Sequence, residues 1–364
     1  MTSMDALVNA PISFDLPVSL EAHEPPEARG LARDEVRLMA SYAGDDAITH
    51  TRFTSLPSLL RRGDVLVVNE SATVNAALPA ARADGERVEL HLSQRLAGNR
   101  WIIELRRMTP DRGTVPLRDA TQDEVVTLPA GAHVRLIEPY VDQTTPNEIR
   151  LWLSLATCVD DVDLYLECHG SPIRYGYVTR AWPLSYYQTI FSREPGSAEM
   201  PSAGRPFSPR VLDGLAHRGV QIAPIVLHTG VSSLEEHEPP YAEYYRVDGS
   251  TARTVNDARR RGGRVIAVGT TAVRALESVA SPDGTVAAGS GWTELVITPE
   301  RGVYAVDALL TGFHEPRASH LSMLEALTSR EHLESAYEAA IRAKYLWHEF
   351  GDVHLLMPGR RLDN

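Results

Sequence analysis

The chain is poor in cysteine, with two in 364 residues, Cys158 and Cys168. They stand outside any CxxC spacing, so the sequence supports neither a disulfide framework nor a thiolate zinc site. We expect both to be buried thiols. The 13 histidines show no HExxH or comparable spacing, so we expect no bound metal.

Long apolar runs and an excess of positive charge are missing as well. No segment approaches the ~20 apolar residues that span a membrane, and no basic stretch precedes an apolar one at the N-terminus. We therefore expect a cytoplasmic protein with no membrane partner.

The 36 Lys and Arg against 48 Asp and Glu leave a formal charge of −12, which gives no general attraction for nucleic acid. An RNA partner would need a local basic patch, and one strip fits either that role or a solvated helix face: Arg259, Arg260, Arg261 and Arg264.

The hydrophobic content of 43% is ample for two domains. From about residue 75 to 157, short alternating segments separated by Gly, Asp, Asn and Pro predict the antiparallel strands of a small barrel. On both sides of this region helical and strand patterns alternate, which predicts a sheet with helices on its faces. The predicted fold is an α/β body, residues 1–74 and 158–364, with an inserted antiparallel β-barrel domain, residues 75–157.

Several elements of the body are predicted individually. A short helix is expected near Ser55–Leu60, followed by a buried strand over Asp64–Asn69. TELVITP (293–299) and VHLLMP (353–358) read as further strands. A helix is expected from Ser329 to Leu346, with a capping box formed by Thr328 and Glu331.

The stretch RVIAVGTTAVRALES (264–278) predicts a buried strand, a small polar turn and a helix. In open α/β sheets, ligands bind in the crevice beyond the carboxyl ends of the strands. Free N–H groups and the helix dipole would favour an anionic group there, within reach of Thr270, Thr271, Arg274 and Glu277. The same residues also fit a structural role, with Thr271 as a helix cap and Arg274 with Glu277 as an ion pair.

Polar clusters stand at two more strand ends, in VLHTGVSSL and DALLTGFHEPRAS. Three such clusters on one sheet predict a pocket. The motifs GxGxxG, GxxxxGK[ST] and GxSxG are absent, which weakens the case for hydride transfer, ATP hydrolysis and serine-hydrolase chemistry. The polar residues of the two clusters are His228, Thr229 and Ser232 in the first, and Asp307, Thr311, His314 and Arg317 in the second.

The order of FDLPVSLEAHEPPEAR, SYYQTIFS, VLHTG, RVIAVGTTAVRALES and the terminal FGDVHLLMP resembles the S-adenosylmethionine:tRNA ribosyltransferase-isomerases of queuosine biosynthesis. The resemblance runs from about Phe14 to Pro358. It implies an α/β body with an inserted barrel, and transfer and isomerisation of the ribosyl part of S-adenosylmethionine onto the 7-aminomethyl-7-deazaguanine of tRNA, releasing adenine and methionine. It implies no metal, because the sulfonium acidifies the C5′ protons and supplies a leaving group.

The resemblance also suggests roles for single residues, in a chain expected to act as a monomer. The methionine or ribose end of the donor would meet the GTT turn and Arg274, and two histidines would carry protons or hold the ribose. Glu243 is a further candidate acid or base, although an exposed loop carboxylate fits the sequence equally well. The remaining candidates are His228 and His314 for proton transfer, and Thr270, Thr271, Arg274, Glu277, Tyr187 and Gln188 for binding.

The polar positions depart from the family pattern in several places. Where the family shows Asp-Thr-Arg after the VVN strand, this chain has Glu70, Ser71 and Ala72. The segment 202–208 lacks a family histidine. Three new charges, Arg174, Arg205 and Glu315, would suit a different acceptor. Two alternatives therefore stand beside tRNA modification: a paralogue that uses S-adenosylmethionine with a small-molecule acceptor, and a non-catalytic S-adenosylmethionine-binding protein.

Overall fold

A computed structural model describes residues 12–109, 113–140, 149–231 and 241–358. Its strands are β1 (Arg37–Tyr42), β2 (Ala47–Arg52), β3 (Val65–Asn69), β4 (Ser71–Thr73), β5 (Ala77–Ala81), β6 (Arg87–Leu96), β7 (Arg100–Met108), β8 (Thr114–Pro116), β9 (Val125–Thr127), β10 (His133–Pro139), β11 (Leu151–Thr157), β12 (Glu194–Ser197), β13 (Gln221–Leu227), β14 (Glu243–Val247), β15 (Val265–Val268), β16 (Gly289–Thr293), β17 (Ala308–Gly312) and β18 (Val353–Met357). Its α-helices are α1 (Leu56–Leu59), α2 (Val162–His169), α3 (Pro209–Arg218), α4 (Gly249–Arg260), α5 (Thr270–Glu277), α6 (Ser319–Glu325) and α7 (Arg330–Arg342).

The body is built on a nine-stranded sheet with the order β16-β14-β13-β3-β15-β17-β18-β1-β2. The four central strands β13, β3, β15 and β17 are parallel to one another. Val65 and Val67 of β3 pack into one core and Leu66 and Val68 into the other, because alternate side chains of a strand point to opposite faces. Helices cover both faces, with α4 and α5 on one and α3 on the other, and this explains why the central strands are continuous apolar runs.

The barrel closes through six strands in the order β11-β10-β9-β5-β6-β7, with β7 paired back to β11. Strand β8 extends it beside β7. Alternate residues such as Trp101, Ile103 and Leu105 fill the interior together with Leu90 and Val134. The predicted fold class, an α/β body with an antiparallel barrel, is confirmed. Strands β4 and β12 form a separate two-stranded parallel ribbon. The boundaries of the barrel domain at residues 75 and 157 remain a prediction.

Some local predictions are wrong. Cys158 and Cys168 are exposed, since Cys158 lies in the turn after β11 and Cys168 on the outer side of α2. The strand expected over TELVITP lies upstream, at Gly289–Thr293, and residues 294–298 are irregular. The pairing of β16 with β14 ends at Thr293, opposite Glu243, so the strand has no partner beyond that point.

The C-terminal helix is shorter than expected and has a different cap. It spans Arg330–Arg342, and the hydroxyl of Ser329 accepts a hydrogen bond from the His332 amide. The Thr328 hydroxyl is buried without a hydrogen-bond partner among the described residues. Across the described ranges, every helix is too short or too polar to cross a membrane.

Candidate active site

A cleft of about 630 Å³ opens beyond the carboxyl ends of β13, β15 and β17. The structure brings together the three polar strand ends that the sequence singled out. Residues 229–231, 269–271 and 311–320 supply much of the lining, and residues 199–203, 295–297 and 348–349 complete it with Tyr175, Tyr177, Tyr241, Glu243 and Arg274. Ser232 lies outside the described residues. Asp307 lies at the opposite edge of the sheet, where its carboxylate accepts from the Val265 amide at 2.8 Å.

The start of α5 forms one wall of the cleft. Gly269 has φ 88° and ψ 156°, a conformation that is essentially restricted to glycine. This turn places Thr270 and Thr271 at the helix N-terminus, facing the cleft, and Thr271 Oγ1 accepts from the Asn69 amide at 3.4 Å. No side chain caps this end of the helix among the described residues, so the predicted capping role of Thr271 is not seen. The positive end of the dipole favours an anionic group here.

Replacement of Gly269 by alanine is expected to lower the free energy of unfolding by about 1–3 kcal/mol, because the new side chain is forced into a glycine-only region. Gly312 is a matched control, since it lines the same cleft, has no positive φ, and a Cβ there would meet nothing within 4 Å. We expect Gly312→Ala to change stability by less than about 0.5 kcal/mol. Urea denaturation of the two variants measures the difference, and equal stabilities would contradict the assigned strain.

Arg274 holds three segments of the cleft wall together. Its guanidinium donates to the carbonyls of Leu295, Tyr241 and Thr293 at 3.0–3.2 Å, and to the carboxylate of Glu243. The alternative in which Arg274 pairs with Glu277 is not seen. Because most of its N–H groups are already used within the protein, Arg274 has little capacity left to bind a substrate carboxylate.

Glu243 is a residue of β14 with a side chain only 14% exposed, rather than an exposed loop carboxylate. Its Oε1 accepts from the Gly230 amide at 2.9 Å, and its Oε2 accepts from Arg274. Burial raises the pKa of Glu243, and the Arg274 charge opposes that rise. The paired charges leave this part of the cleft close to neutral.

His314 brings a neutral imidazole to the cleft. Its Nε2 lies 2.9 Å from Thr311 Oγ1 and its ring stacks on His320 with centroids 4.8 Å apart. Its backbone is fixed by Tyr337 and Trp347. Burial, followed by the charges of His320 and His354, holds the pKa of His314 well below its usual value. The ring is therefore neutral at neutral pH and can accept a hydrogen bond.

His228 lies behind the cleft wall and not in its lining. Its Nδ1 is 2.8 Å from Ser71 Oγ, which in turn is 2.6 Å from Ser197 Oγ. The ring packs so closely on Gly196 that a Cβ there would approach it to 2.5 Å. Burial lowers the pKa of His228, and Glu194 opposes the effect. The role of His228 in proton transfer stays a prediction, and its side chain is not among the residues that line the cleft.

Three predicted binding residues also lie outside the lining. Glu277 accepts the amides of Tyr304 and Ala305 and an N–H of Arg301. Tyr187 is buried against Phe350, and both amide atoms of Gln188 bond to the backbone of Thr73. The functions predicted for Glu277, Tyr187 and Gln188 remain untested, and their contacts support the walls from behind.

The structure also shows where the three charged residues that depart from the family pattern lie. Arg205 is buried and donates to Glu27 at 2.8 Å and to the Tyr186 carbonyl at 2.9 Å. Arg174 donates to the Val178 carbonyl at 2.9 Å. Glu315 is among the residues that line the cleft. Of the three new charges, Glu315 therefore has the most direct access to a ligand.

Sequence reasoning missed the end of the cleft formed by Glu199, Glu349, Tyr175, Tyr177 and His348. Glu199 lies in the segment PGSAEMP, and His348 and Glu349 directly precede the FGD segment that carries the family resemblance. Tyr177 stacks on His348 with ring centroids 3.9 Å apart. Isolated acidic and aromatic residues carry no local pattern, so the fold was needed to bring them together.

The predicted basic strip lies far from this cleft. Arg264 precedes β15, at the edge of the sheet opposite to the cleft, and its guanidinium pairs with the buried Asp64. Arg260 pairs with Asp257 on α4. Elsewhere in the described ranges, no group of three His, Cys, Asp or Glu side chains is arranged to hold a metal ion.

The chain combines a barrel with an α/β sheet whose central strands are parallel, and a ligand-sized cleft opens at the carboxyl ends of those strands. This geometry defines a class of protein that binds a small molecule at that edge of the sheet. A family model described as queuosine biosynthesis protein matches residues 10–356. The chain belongs to this family, as its resemblance predicted.

Relatives and a solved structure agree with this assignment. The chain is 37% identical over 357 residues to the S-adenosylmethionine:tRNA ribosyltransferase-isomerase of Moorella thermoacetica, covering 94% of this chain and 98% of the relative. Its identity to the enzyme of the same name from Symbiobacterium thermophilum is 35% over 354 residues, with the same coverage. The crystal structure of S-adenosylmethionine tRNA ribosyltransferase from Thermotoga maritima aligns with a TM-score of 0.52 at 26% identity, covering 95% of this chain and 99% of that chain.

Proposed function

We propose that the chain transfers and isomerises the ribosyl group of S-adenosylmethionine onto the 7-aminomethyl-7-deazaguanine of tRNA, releasing adenine and methionine. The observation that carries the proposal is a cleft of about 630 Å³ at the carboxyl edge of the sheet, in a chain that matches the family over residues 10–356. This volume lies in the range of roughly 300–1,000 Å³ that is usual for small-molecule sites. The curated relatives carry the transferase-isomerase name that the sequence predicted.

The methionine carboxylate of the donor binds at the start of α5 in this proposal. Thr270 and Thr271 offer hydroxyl groups and the amides of a helix N-terminus, which suit a carboxylate. Arg274 acts mainly by holding Glu243 and the neighbouring carbonyls in place. Binding of the anion therefore depends on the geometry of the wall more than on a free arginine.

His314 is positioned for the ribosyl end of the donor. Its depressed pKa keeps the ring neutral at physiological pH, so it can accept a hydrogen bond from a ribose hydroxyl or act as a weak base. The sulfonium provides the leaving group and the acidity of the C5′ position, so S-adenosylmethionine is a substrate and no metal is invoked. His228 supports the strand end from behind through Ser71 and Ser197.

A small-molecule acceptor is the second candidate. The observation that favours it is the position of the arginine strip, which lies at the opposite edge of the sheet and is partly neutralised by Asp64 and Asp257. Phosphate contacts supply much of the affinity of proteins for nucleic acid. The cleft itself offers the carboxyl groups of Glu199, Glu315 and Glu349 at its other end, which give no attraction for phosphate and suit a cationic acceptor.

Mass spectrometry of adenine and methionine release tests the proposal. The chain is incubated with S-adenosylmethionine, with and without tRNA that carries 7-aminomethyl-7-deazaguanine. Release that depends on this tRNA is the expected result. Release in its absence would favour a small-molecule acceptor, and binding of S-adenosylmethionine with no release would indicate a non-catalytic protein.

A further inference from the structure

Glu349 combines two features that the packing of the protein does not explain. The residue lies between α7 and β18 and lines the cleft. Its Oε1 atom is fully buried and has no hydrogen-bond partner among the described residues. An unpaired buried carboxylate oxygen is costly, by about 1–3 kcal/mol or more. Such a cost is accepted most readily where a ligand supplies the missing donor.

The groups that face Glu349 increase this need for a donor. Glu199 repels it, and the Glu199 carboxylate already accepts from the Tyr175 hydroxyl. Arg205 is the nearby cation, but it is buried in a pair with Glu27 at 2.8 Å. The charge of Glu349 also acts on the hydroxyl groups of Tyr177 and Tyr187.

Burial and neighbouring charges raise the pKa values of the acidic groups at this end of the cleft. Burial and the Glu199 charge raise the pKa of Glu349 to about 8. Burial also raises the pKa of Tyr177 and Tyr187, so both hydroxyls stay neutral. A ligand that brings both a positive charge and N–H donors would offset the Glu199 charge and supply the donor that Glu349 Oε1 lacks.

We propose that Glu349 is the catalytic residue that binds the protonated amino group of the acceptor and removes its proton. The identity of that amine, the aminomethyl group of 7-deazaguanine, rests on the function proposed above. In this step an N–H bond of the ammonium breaks and an O–H bond forms on the Glu349 carboxylate. Overall, the nitrogen lone pair that is released becomes the new C–N bond to the ribosyl group, and the electron pair of the ribosyl C–S bond leaves on the methionine sulfur.

The overall balance of the reaction requires such a base. S-adenosylmethionine enters as a cation, whereas methionine and adenine leave without net charge. One positive charge must therefore be released as a proton, and the attacking ammonium has to lose a proton before its nitrogen can form the new bond. A carboxylate whose pKa lies near the working pH transfers protons efficiently in both directions. At the other end of the cleft Glu243 is committed to Arg274, so Glu349 is better placed for this task.

The test compares the pH dependence of kcat/KM for the full chain and two variants, with S-adenosylmethionine and the modified tRNA. For the native protein, kcat/KM should rise with pH through about 8, because the free enzyme needs Glu349 deprotonated. Glu349→Gln should lose about 100-fold in kcat/KM and should not show this rise. Glu199→Gln should keep the rise but shift it to lower pH, since the repelling charge is gone. Glu334→Gln, on the exposed side of α7, is the control and should match the native profile.

A binding measurement separates failure of this inference from failure of the proposed function. S-adenosylmethionine affinity by calorimetry should be unchanged in Glu349→Gln, which also reports that the variant is folded. If the native protein turns over and Glu349→Gln keeps both the rate and the rise with pH, the role of Glu349 is refuted while the function stands.

If the native protein shows no turnover, binding of 7-aminomethyl-7-deazaguanine is compared with its uncharged 7-hydroxymethyl counterpart at about pH 8.5, where the alkylammonium is still charged. A preference for the amine of about tenfold or more that disappears in Glu349→Gln supports the amine site. Equal binding of the two bases by the native protein overturns it.

Discussion

Arg274→Ala is expected to lower the free energy of unfolding by about 3–5 kcal/mol, which is the usual cost of removing one partner of a buried ion pair. The carboxylate of Glu243, 14% exposed, would keep only the Gly230 amide as donor. The carbonyls of Leu295, Tyr241 and Thr293 would also lose their donors. Urea denaturation measures the loss, and S-adenosylmethionine affinity should fall with it because these residues form the cleft wall.

The double variant Arg274→Ala with Glu243→Gln separates a wall function from direct contact with the substrate. Replacing the unpaired Glu243 carboxylate by an uncharged amide should restore about 1–3 kcal/mol of stability. If Arg274 acts through the wall, S-adenosylmethionine affinity by calorimetry should recover in parallel. Recovery of stability with affinity still lost would mean that the guanidinium itself binds the donor, as the sequence first suggested.

The parts of the fold that the sequence predicted well are those with strong local patterns. The runs at β3 and β15 are continuous apolar segments because both faces of the sheet are covered. The short helix expected near Ser55–Leu60 is present as α1, and the C-terminal strand as β18. The family predicted from the motifs is confirmed over residues 10–356.

The elements that were missed lie where the local pattern is weak. Strand β2 pairs with β1 at the edge of the sheet and is half-exposed, so its sequence AITHTR lacks a clear apolar alternation. Strands β5 and β8 are short and depend on neighbours in the barrel for their pairing. In each case hydrogen bonds to a distant strand define the element, and these are not visible in a local window.

In the candidate site, too, features with a local sequence pattern were predicted, whereas contacts between distant residues were not. The strand ends with GTT and His314 were predicted to meet because parallel strands present their carboxyl ends at one edge. The partners of the charged residues were not predictable. Arg274 and Glu243 are 31 residues apart in the chain, and Arg205 and Glu27 are 178 apart. Consequently the sequence assigned Arg274 and Glu277 to a ligand, whereas the fold gives each of them a separate partner inside the protein.

Glu277→Ala is expected to lower the free energy of unfolding by about 3–5 kcal/mol without a selective effect on ligand binding. The buried carboxylate accepts the amides of Tyr304 and Ala305 and pairs with Arg301 at 2.8 Å. Its loss leaves two buried amides and a guanidinium without their acceptor, and each unsatisfied amide costs about 1–3 kcal/mol.

The control for Glu277→Ala is Glu334→Ala, which removes an exposed pair with Arg330 on α7 and should cost less than about 1 kcal/mol. Urea denaturation gives both free energies, and calorimetry under conditions where the variants are folded gives S-adenosylmethionine affinity. Glu277→Ala should bind the donor as the native protein does, because its carboxylate lies behind the wall and not in the cleft lining. A variant of native stability that binds S-adenosylmethionine at least tenfold more weakly would reverse this assignment, since the carboxylate would then have to reach the substrate.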